Sequence, residues 1–244
     1  MRIVAYLACA AAAVLLGGAL RAQTASNPHE HMLATDFGQL ARYQAANQLL
    51  AAPAPDAPRV IFYGDSITDG WKLEQFFPGK GYINRGISGQ TTPQMLVRLR
   101  QDVLDLQPRV LVVLAGTNDL AGNTGPMTVE QIEGNYATLA ELARVHHIAL
   151  VLASVTPVSD NVHPEMTTGR SPTKILALNA WLKEYCRANN LVYLDYFSAM
   201  VDPAGYLQKT LSGDGLHPNE AGYRVMAPLA QQAVTAALAQ SAPQ

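Results

Sequence analysis

The sequence predicts an α/β fold built on a parallel sheet with helices on both faces. Two observations carry that expectation. Short apolar runs alternate with segments whose apolar residues recur every three or four positions, a strand–helix repeat that needs crossover connections. The strongest run, Val110–Leu114 (VLVVL), has no polar alternation, as befits a strand covered on both sides.

The elements follow in chain order. After a polar stretch at 23–30, Phe37, Leu40 and Tyr43 recur at helical spacing and predict a helix to about Leu50. Residues 51–58 (AAPAPDAP) form a stiff Pro-rich connector. Residues 60–63 are the first strand, stopped by Gly64, and residues 82–84 are a weaker second. Val110–Leu114, residues 148–153 and residues 191–194 complete a five-stranded set. Thr128 and Gln131 make a capping box ahead of Val129, Ile132, Tyr136, Leu139 and Leu142. Ser171-Pro172 starts a helix carrying Ile175, Leu178, Leu182 and Tyr185. The last helix spans about 219–238, with Pro228 removing one of its backbone bonds. Repeats and coiled-coil heptads are absent from the sequence.

Composition narrows the function. Of 244 residues, 49% are apolar, enough for a large core and too many for global disorder. Lys+Arg number 17 against 19 Asp+Glu, so there is no basic excess to neutralise nucleic-acid phosphates. Residues 1–22 read as a secretory leader: Arg2, an apolar run from Ile3 to Leu16, then small residues before a cut near Ala22. The alternative, a membrane anchor, meets a run of roughly 14 strongly apolar residues where about 20 are needed to span. No later stretch approaches that length. Cleavage removes Arg2, Arg21 and Cys9, leaving 15 basic against 19 acidic side chains and one cysteine, Cys186, so no internal disulfide forms. The expected organisation is a leader at 1–22, a helix and connector at 23–58 and a globular domain at 59–240, exported to a periplasm or the medium. His29 and His31, with no further ligands nearby, fall short of a metal site.

In open α/β sheets ligands bind beyond the carboxyl ends of the strands. Short polar clusters stand there. Gly64-Asp65-Ser66-Ile67-Thr68 follows the first strand, Ile87-Ser88-Gly89 the second and Gly116-Thr117-Asn118-Asp119 the third. Asp214-Gly215-Leu216-His217-Pro218 precedes the last helix. Their chemistry is complementary. A serine hydroxyl needs a base, an imidazole supplies one at neutral pH, and a carboxylate three residues earlier can orient that imidazole. A tetrahedral intermediate needs donors, which the Ser66 and Gly89 backbone N–H groups and the Asn118 amide offer. Each residue alone also has an ordinary use: Ser66 as a helix cap, Asn118 and Asp214 as turn formers, Gly89 as loop geometry and His217 as a helix start. Their joint occurrence at four rim positions in this order is what points to catalysis.

At these four blocks, GDSIT, ISG, GTND and DGLHP, the chain resembles the SGNH (GDSL) hydrolase family, over essentially all of residues 59–240. The resemblance implies a three-layer α/β/α sandwich, flavodoxin-like, and ester hydrolysis without metal or cofactor. It implies Ser66 as nucleophile, His217 as base and then acid, and Asp214 as its orienter. The implied oxyanion donors are the Ser66 and Gly89 N–H groups and the Asn118 side chain. The G-x-S-x-G elbow of other α/β hydrolases is absent from the sequence.

The stretches GDSITDGW and GYINRGISGQTTPQML are similar to the branch of exported single-domain esterases and acetylhydrolases. That similarity favours acetyl or other short acyl esters, carbohydrate-bound ones above all. The alternatives are a broad short-chain acyl or aryl esterase, a lysophospholipase-like lipid esterase, and a glycan-binding module without activity. Trp71, with Phe76 and Phe77, either lines the substrate side or packs in the core. Arg85 either meets an anionic or hydroxylated substrate or forms an ion pair. Residues 157–170 form a long loop expected to wall the pocket.

Overall fold

A computed structural model describes residues 28–54 and 57–240, with side chains from Met32 onward. The expected leader lies outside the described residues. Five strands, β1 (Val60–Gly64), β2 (Ile83–Gly86), β3 (Val110–Leu114), β4 (Ala149–Ala153) and β5 (Val192–Leu194), pair in parallel in the order β2-β1-β3-β4-β5. The longer helices are α1 (Pro28–Thr35), α2 (Ala41–Gln48), α3 (Thr92–Asp102), α4 (Val129–Val145), α5 (Pro172–Ala188) and α6 (Glu220–Gln240).

Strand side chains alternate between faces, and both faces are covered. Ile61, Tyr63, Leu111 and Val113 pack with Met95 and Leu99 of α3, Ile132 of α4 and Leu178 of α5. Val60, Phe62, Val110 and Val112 pack with Met226, Ala230 and Val234 of α6. The result is an α/β/α sandwich. Every residue of β1 and β3 is buried, which is why neither run shows polar alternation. The Thr128 capping box forms with both of its bonds, and Pro172 sits in the first turn of α5.

The structure differs from expectation at the start of the chain. In place of one helix through Phe37, Leu40 and Tyr43 there are two, α1 and α2, separated by a turn in which Gln39 takes a φ of 52°. The carbonyls of Phe37 and Gly38 turn inward to accept from the Gln94 and Gln90 side chains, at 2.8 and 3.0 Å. That diverts them from any helical ladder. A helix the apolar pattern did not announce, α3, starts with a capping box between Thr91 and Gln94. Its buried face carries Gln94, Arg98 and Asp102, so polar residues stand where the helical pattern expects apolar ones.

Those polar residues hold the rim. The Arg98 guanidinium is fully buried and pairs with Asp102 at 3.2 Å. It also donates to Gly64 O at the end of β1 (3.0 Å), to Arg85 O in β2 (2.9 Å) and to the Gln90 side chain (2.5 Å). It stacks over the Tyr63 ring at 4.2 Å. Arg98→Met takes the ion-pair partner from the buried Asp102, leaving it the amide donors of Asn47 and Gln101. We expect a loss of about 3–5 kcal/mol, read as a lower urea midpoint; a wild-type midpoint would refute the structural role.

Candidate active site

The strand order places β1 between β2 and β3, so the loops that follow these three strands are neighbours on one rim. Ser66 opens a one-turn helix, Ser66–Asp69, directly after β1. Asp65 caps it, its Oδ1 accepting from Ile67 N–H at 3.0 Å. Asn84 of β2 donates to Thr68 O and Trp71 O, at 2.6 and 3.0 Å, and fixes the far end of this turn. Gly86 lets the two segments touch: a Cβ there would lie 2.1 Å from Asp69 N. Asp69 Oδ2 then accepts from the Ser88 N–H and hydroxyl, at 3.1 and 2.7 Å, tying the Ser66 turn to the Gly89 loop.

Two amides close the third side. Asn118 Nδ2 donates to Gln90 O at 3.0 Å, and Asn123 Nδ2 donates to Gly89 O at 3.0 Å. The Ser66 and Gly89 N–H groups find no acceptor among the described residues. Asn118 keeps its second amide hydrogen beyond the bond to Gln90. Three donors therefore stand on the loops of adjacent strands.

The last block reaches the same rim ahead of α6. Tyr223 of that helix donates to Ile67 O at 2.8 Å, which seats α6 against the Ser66 turn. Gly215, at φ 84°, passes so close to Ser159 that a Cβ would lie 2.1 Å from its carbonyl oxygen. His217 Nε2 lies 2.8 Å from Ser66 Oγ, and His217 Nδ1 lies 2.6 Å from Asp214 Oδ2. With Nδ1–H donated to the carboxylate, Nε2 is left to accept from the serine hydroxyl. A hydroxyl, an imidazole and a carboxylate in this order can move a proton off the hydroxyl.

The two carboxyls of the site sit in opposite environments. Partial burial works to raise Asp214. Hydrogen bonds from the His217 ring and from the His217 and Leu216 N–H groups outweigh it and hold the group well below the usual carboxylate range. Burial pushes Asp65 up to about 7, against the lowering bond from Ile67 N–H, and the charge of Asp119 adds to the rise. Asp65 Oδ2 has no hydrogen-bond partner among the described residues. Asp119 braces the start of α3, accepting from the Thr92 N–H and hydroxyl at 2.9 and 2.5 Å.

Ser66, Asp214 and His217 thus meet, and Gly89 and Asn118 flank them on neighbouring loops. Two residues expected at the substrate side do not join them. Trp71 is 3% exposed; it stacks on Tyr223 at 5.2 Å and meets Phe62 edge-on at 5.6 Å. The chain after Asp69 dives under the sheet, where a large aromatic surface is better buried. Arg85 is also buried. It lies over the Tyr43 ring at 4.7 Å and donates to Asn47 Oδ1 and Asn84 O, at 2.9 and 2.8 Å. It anchors α2 to β2 and faces no substrate. One residue that pattern reasoning missed does reach the site: Arg170, at the end of the 157–170 loop, extends to Asn118. Its only sequence signal was a place in a long loop after a strand.

Among the described residues, no group of three or more His, Cys, Asp or Glu is placed to hold a metal ion, and no helix is long and apolar enough to cross a membrane. Cys186 is buried and its thiol pushed up to about 12 by that burial. Concavities of about 1000 and 700 Å³ open at the amino ends of the strands, lined in part by Arg109, His147 and Ile148. They lie across the sheet from Ser66.

A fold and site of this kind define an SGNH-type ester hydrolase. Residues 62–225 match the model of the GDSL-like lipase/acylhydrolase family, and the chain belongs to that family. A GDSL-like lipase from Bacteroides thetaiotaomicron is 40% identical, with a TM-score of 0.78 over 83% of this chain and 100% of that one. An acetylxylan esterase from Geobacillus stearothermophilus, 19% identical with a TM-score of 0.59 over 72% of this chain and 94% of its own, shares the fold. The lipoprotein YqeF of Bacillus subtilis is 29% identical over 118 residues, 41% of this chain; the match spans about half of that relative (49%).

The Asp65 carboxyl gives the fold a pH signature. In the unfolded chain an aspartate titrates near about 3.9. Between there and about 7 the folded protein holds a proton that the unfolded chain has lost, so stability falls as pH rises across this window. Asp65→Asn keeps the cap acceptor and removes the titration. Its melting temperature should exceed the wild type by a wider margin at pH 8 than at pH 4; an equal margin would show that Asp65 titrates normally.

Proposed function

We propose that the protein hydrolyses acetyl and other short acyl esters through an acyl-Ser66 intermediate, with acetylated carbohydrates as the natural substrate class. The observation that carries this is the unbroken relay from Ser66 Oγ through His217 to Asp214, at 2.8 and 2.6 Å. Ser66 Oγ attacks the ester carbonyl while Nε2 takes its proton, and Asp214 stabilises the imidazolium that forms. The Ser66 and Gly89 N–H groups and the Asn118 amide receive the oxyanion. The tetrahedral adduct collapses, His217 protonates the leaving alcohol, and water then cleaves the acyl-Ser66 ester by the reverse path, restoring the hydroxyl.

The exposure of the relay supports a large alcohol. The His217 and Asp214 side chains are 43% and 36% exposed, so the leaving-group side opens to solvent and a sugar chain can approach it. The acetylxylan esterase of Geobacillus stearothermophilus carries its activity on the same fold. The leader pattern at 1–22 supports action outside the cytoplasm with no stable membrane insertion after cleavage, and 17 Lys+Arg against 19 Asp+Glu supports a small-molecule or glycan ester over a nucleic-acid partner.

Nitrophenyl esters from acetate to octanoate test the acyl preference, and acetate release from acetylated xylan and pectin tests the alcohol. Acetate should turn over fastest. A rate that climbs toward octanoate would replace this assignment with a lipid esterase. Ser66→Ala should abolish turnover. Asn118→Ala should lower kcat by roughly a hundred- to a thousand-fold, about 2.7–4 kcal/mol, with KM little changed.

A further inference from the structure

We propose that Arg170 is a positioning residue that sets and polarises the Asn118 amide. This rests on the assignment of Asn118 as an oxyanion donor. Arg170 precedes the first turn of α5 and points back to the rim. One of its terminal nitrogens donates to Asn118 Oδ1 at 3.4 Å, and the other donates to Met166 Sδ at 3.4 Å. Its Nε is buried and has no acceptor. No carboxylate lies within ion-pairing distance of this guanidinium among the described residues, although Asp65 and Asp214 both act on its charge from farther away. A half-buried cation is thus held at the amide oxygen of the donor residue.

The orientation of that amide follows from its two neighbours. Nδ2 donates to Gln90 O, and Oδ1 accepts from Arg170. Turning the amide over would set its oxygen against a carbonyl and its NH2 against a guanidinium, and both contacts repel. The second N–H is therefore held ready before substrate arrives. A charged donor on Oδ1 also draws electron density from the amide nitrogen and makes its remaining hydrogen more positive. That gain grows as charge builds on the substrate oxygen, so it belongs to the transition state more than to the bound ester.

The test is a double-mutant cycle with nitrophenyl acetate. Arg170→Met should lower kcat about tenfold, the effect of losing a charge-assisted hydrogen bond, and change KM by less than about twofold. Arg170→Lys, which keeps the charge, should recover part of the rate. In an Asn118→Ala background Arg170→Met should cost less than about twofold, because the group it acts through is gone. A merely structural arginine would instead impose the same penalty in both backgrounds. Equal penalties, or an Arg170→Met enzyme at full rate, would overturn the inference while a slowed Asn118→Ala enzyme leaves the oxyanion assignment standing. A full-rate Asn118→Ala enzyme would sink both. Thermal melts establish folding. If the methionine variant fails to fold, Arg170→Gln, which drops the charge and keeps polarity, takes its place.

Discussion

Where a parallel strand gives way to a loop, its last carbonyls are still buried and must be supplied with donors. At the rim of this sheet one guanidinium adds to the backbone donors: Gly64 O accepts from the Ile87 N–H at 3.0 Å as well as from Arg98. Arg98 reaches Gly64 O, Arg85 O and the Gln90 side chain from a position with no solvent contact. The first two are strand carbonyls of β1 and β2, and the third leads to the carbonyl that Asn118 uses. Arginine suits the task because its fork of five N–H groups serves several acceptors at once. Desolvating such a cation is costly, and Asp102 alone would not offset it. The carbonyl bonds and the Tyr63 ring share the charge. The loops that carry Ser66 and Gly89 are in this way registered to one another by a group that touches neither of those two residues.

Layered on this support are carboxyls that share a chemistry and differ in surroundings. Asp214 accepts from the Ser212 hydroxyl and from two backbone N–H groups beside the His217 ring, so its charge is favoured at any pH where an imidazole could act as base. Asp65 has one N–H bond and an orphan oxygen, and its burial disfavours the charged form. If both were ionised, Asp65 would place a second negative charge beneath the site where an oxyanion must form. Its burial opposes that charge, and Arg170 supplies a positive one on the Asn118 side. The electrostatics of the rim thus favour negative charge at the position where a tetrahedral intermediate would hold it.

What the sequence disclosed and what it hid follow from how each residue is used. The strands were legible because both faces of the sheet are covered, which leaves uninterrupted apolar runs such as Val110–Leu114. The rim blocks were legible because their residue types have few uses in that combination. The helix α3 was hidden because its inner face is polar: Gln94, Arg98 and Asp102 face carbonyls and amides, and periodicity counts them as surface. For Trp71 and Arg85 the sequence leaves two readings open for a related reason. An aromatic or cationic side chain next to a motif has the same letter whether it faces a ligand or the interior. The buried state of each depends on partners remote in sequence, Tyr223 for the one, Tyr43 and Asn47 for the other.

Arg170 belongs with these hidden residues, since a contact across 52 positions leaves no local pattern. Its position also accounts for the loop that carries it. Residues 161–165 are exposed and contribute nothing to the core, yet the segment returns to the rim before α5 begins. Near its start, Ser159 N–H donates to Gly215 O at 2.9 Å and supports the block bearing Asp214 and His217. At its end, Arg170 supports Asn118. One excursion of the chain therefore braces the Asp214–His217 block at one side of Ser66 and the Asn118 amide at the other. A change in the conformation of this loop would disturb both together, while a change confined to its exposed tip would leave both supports in place.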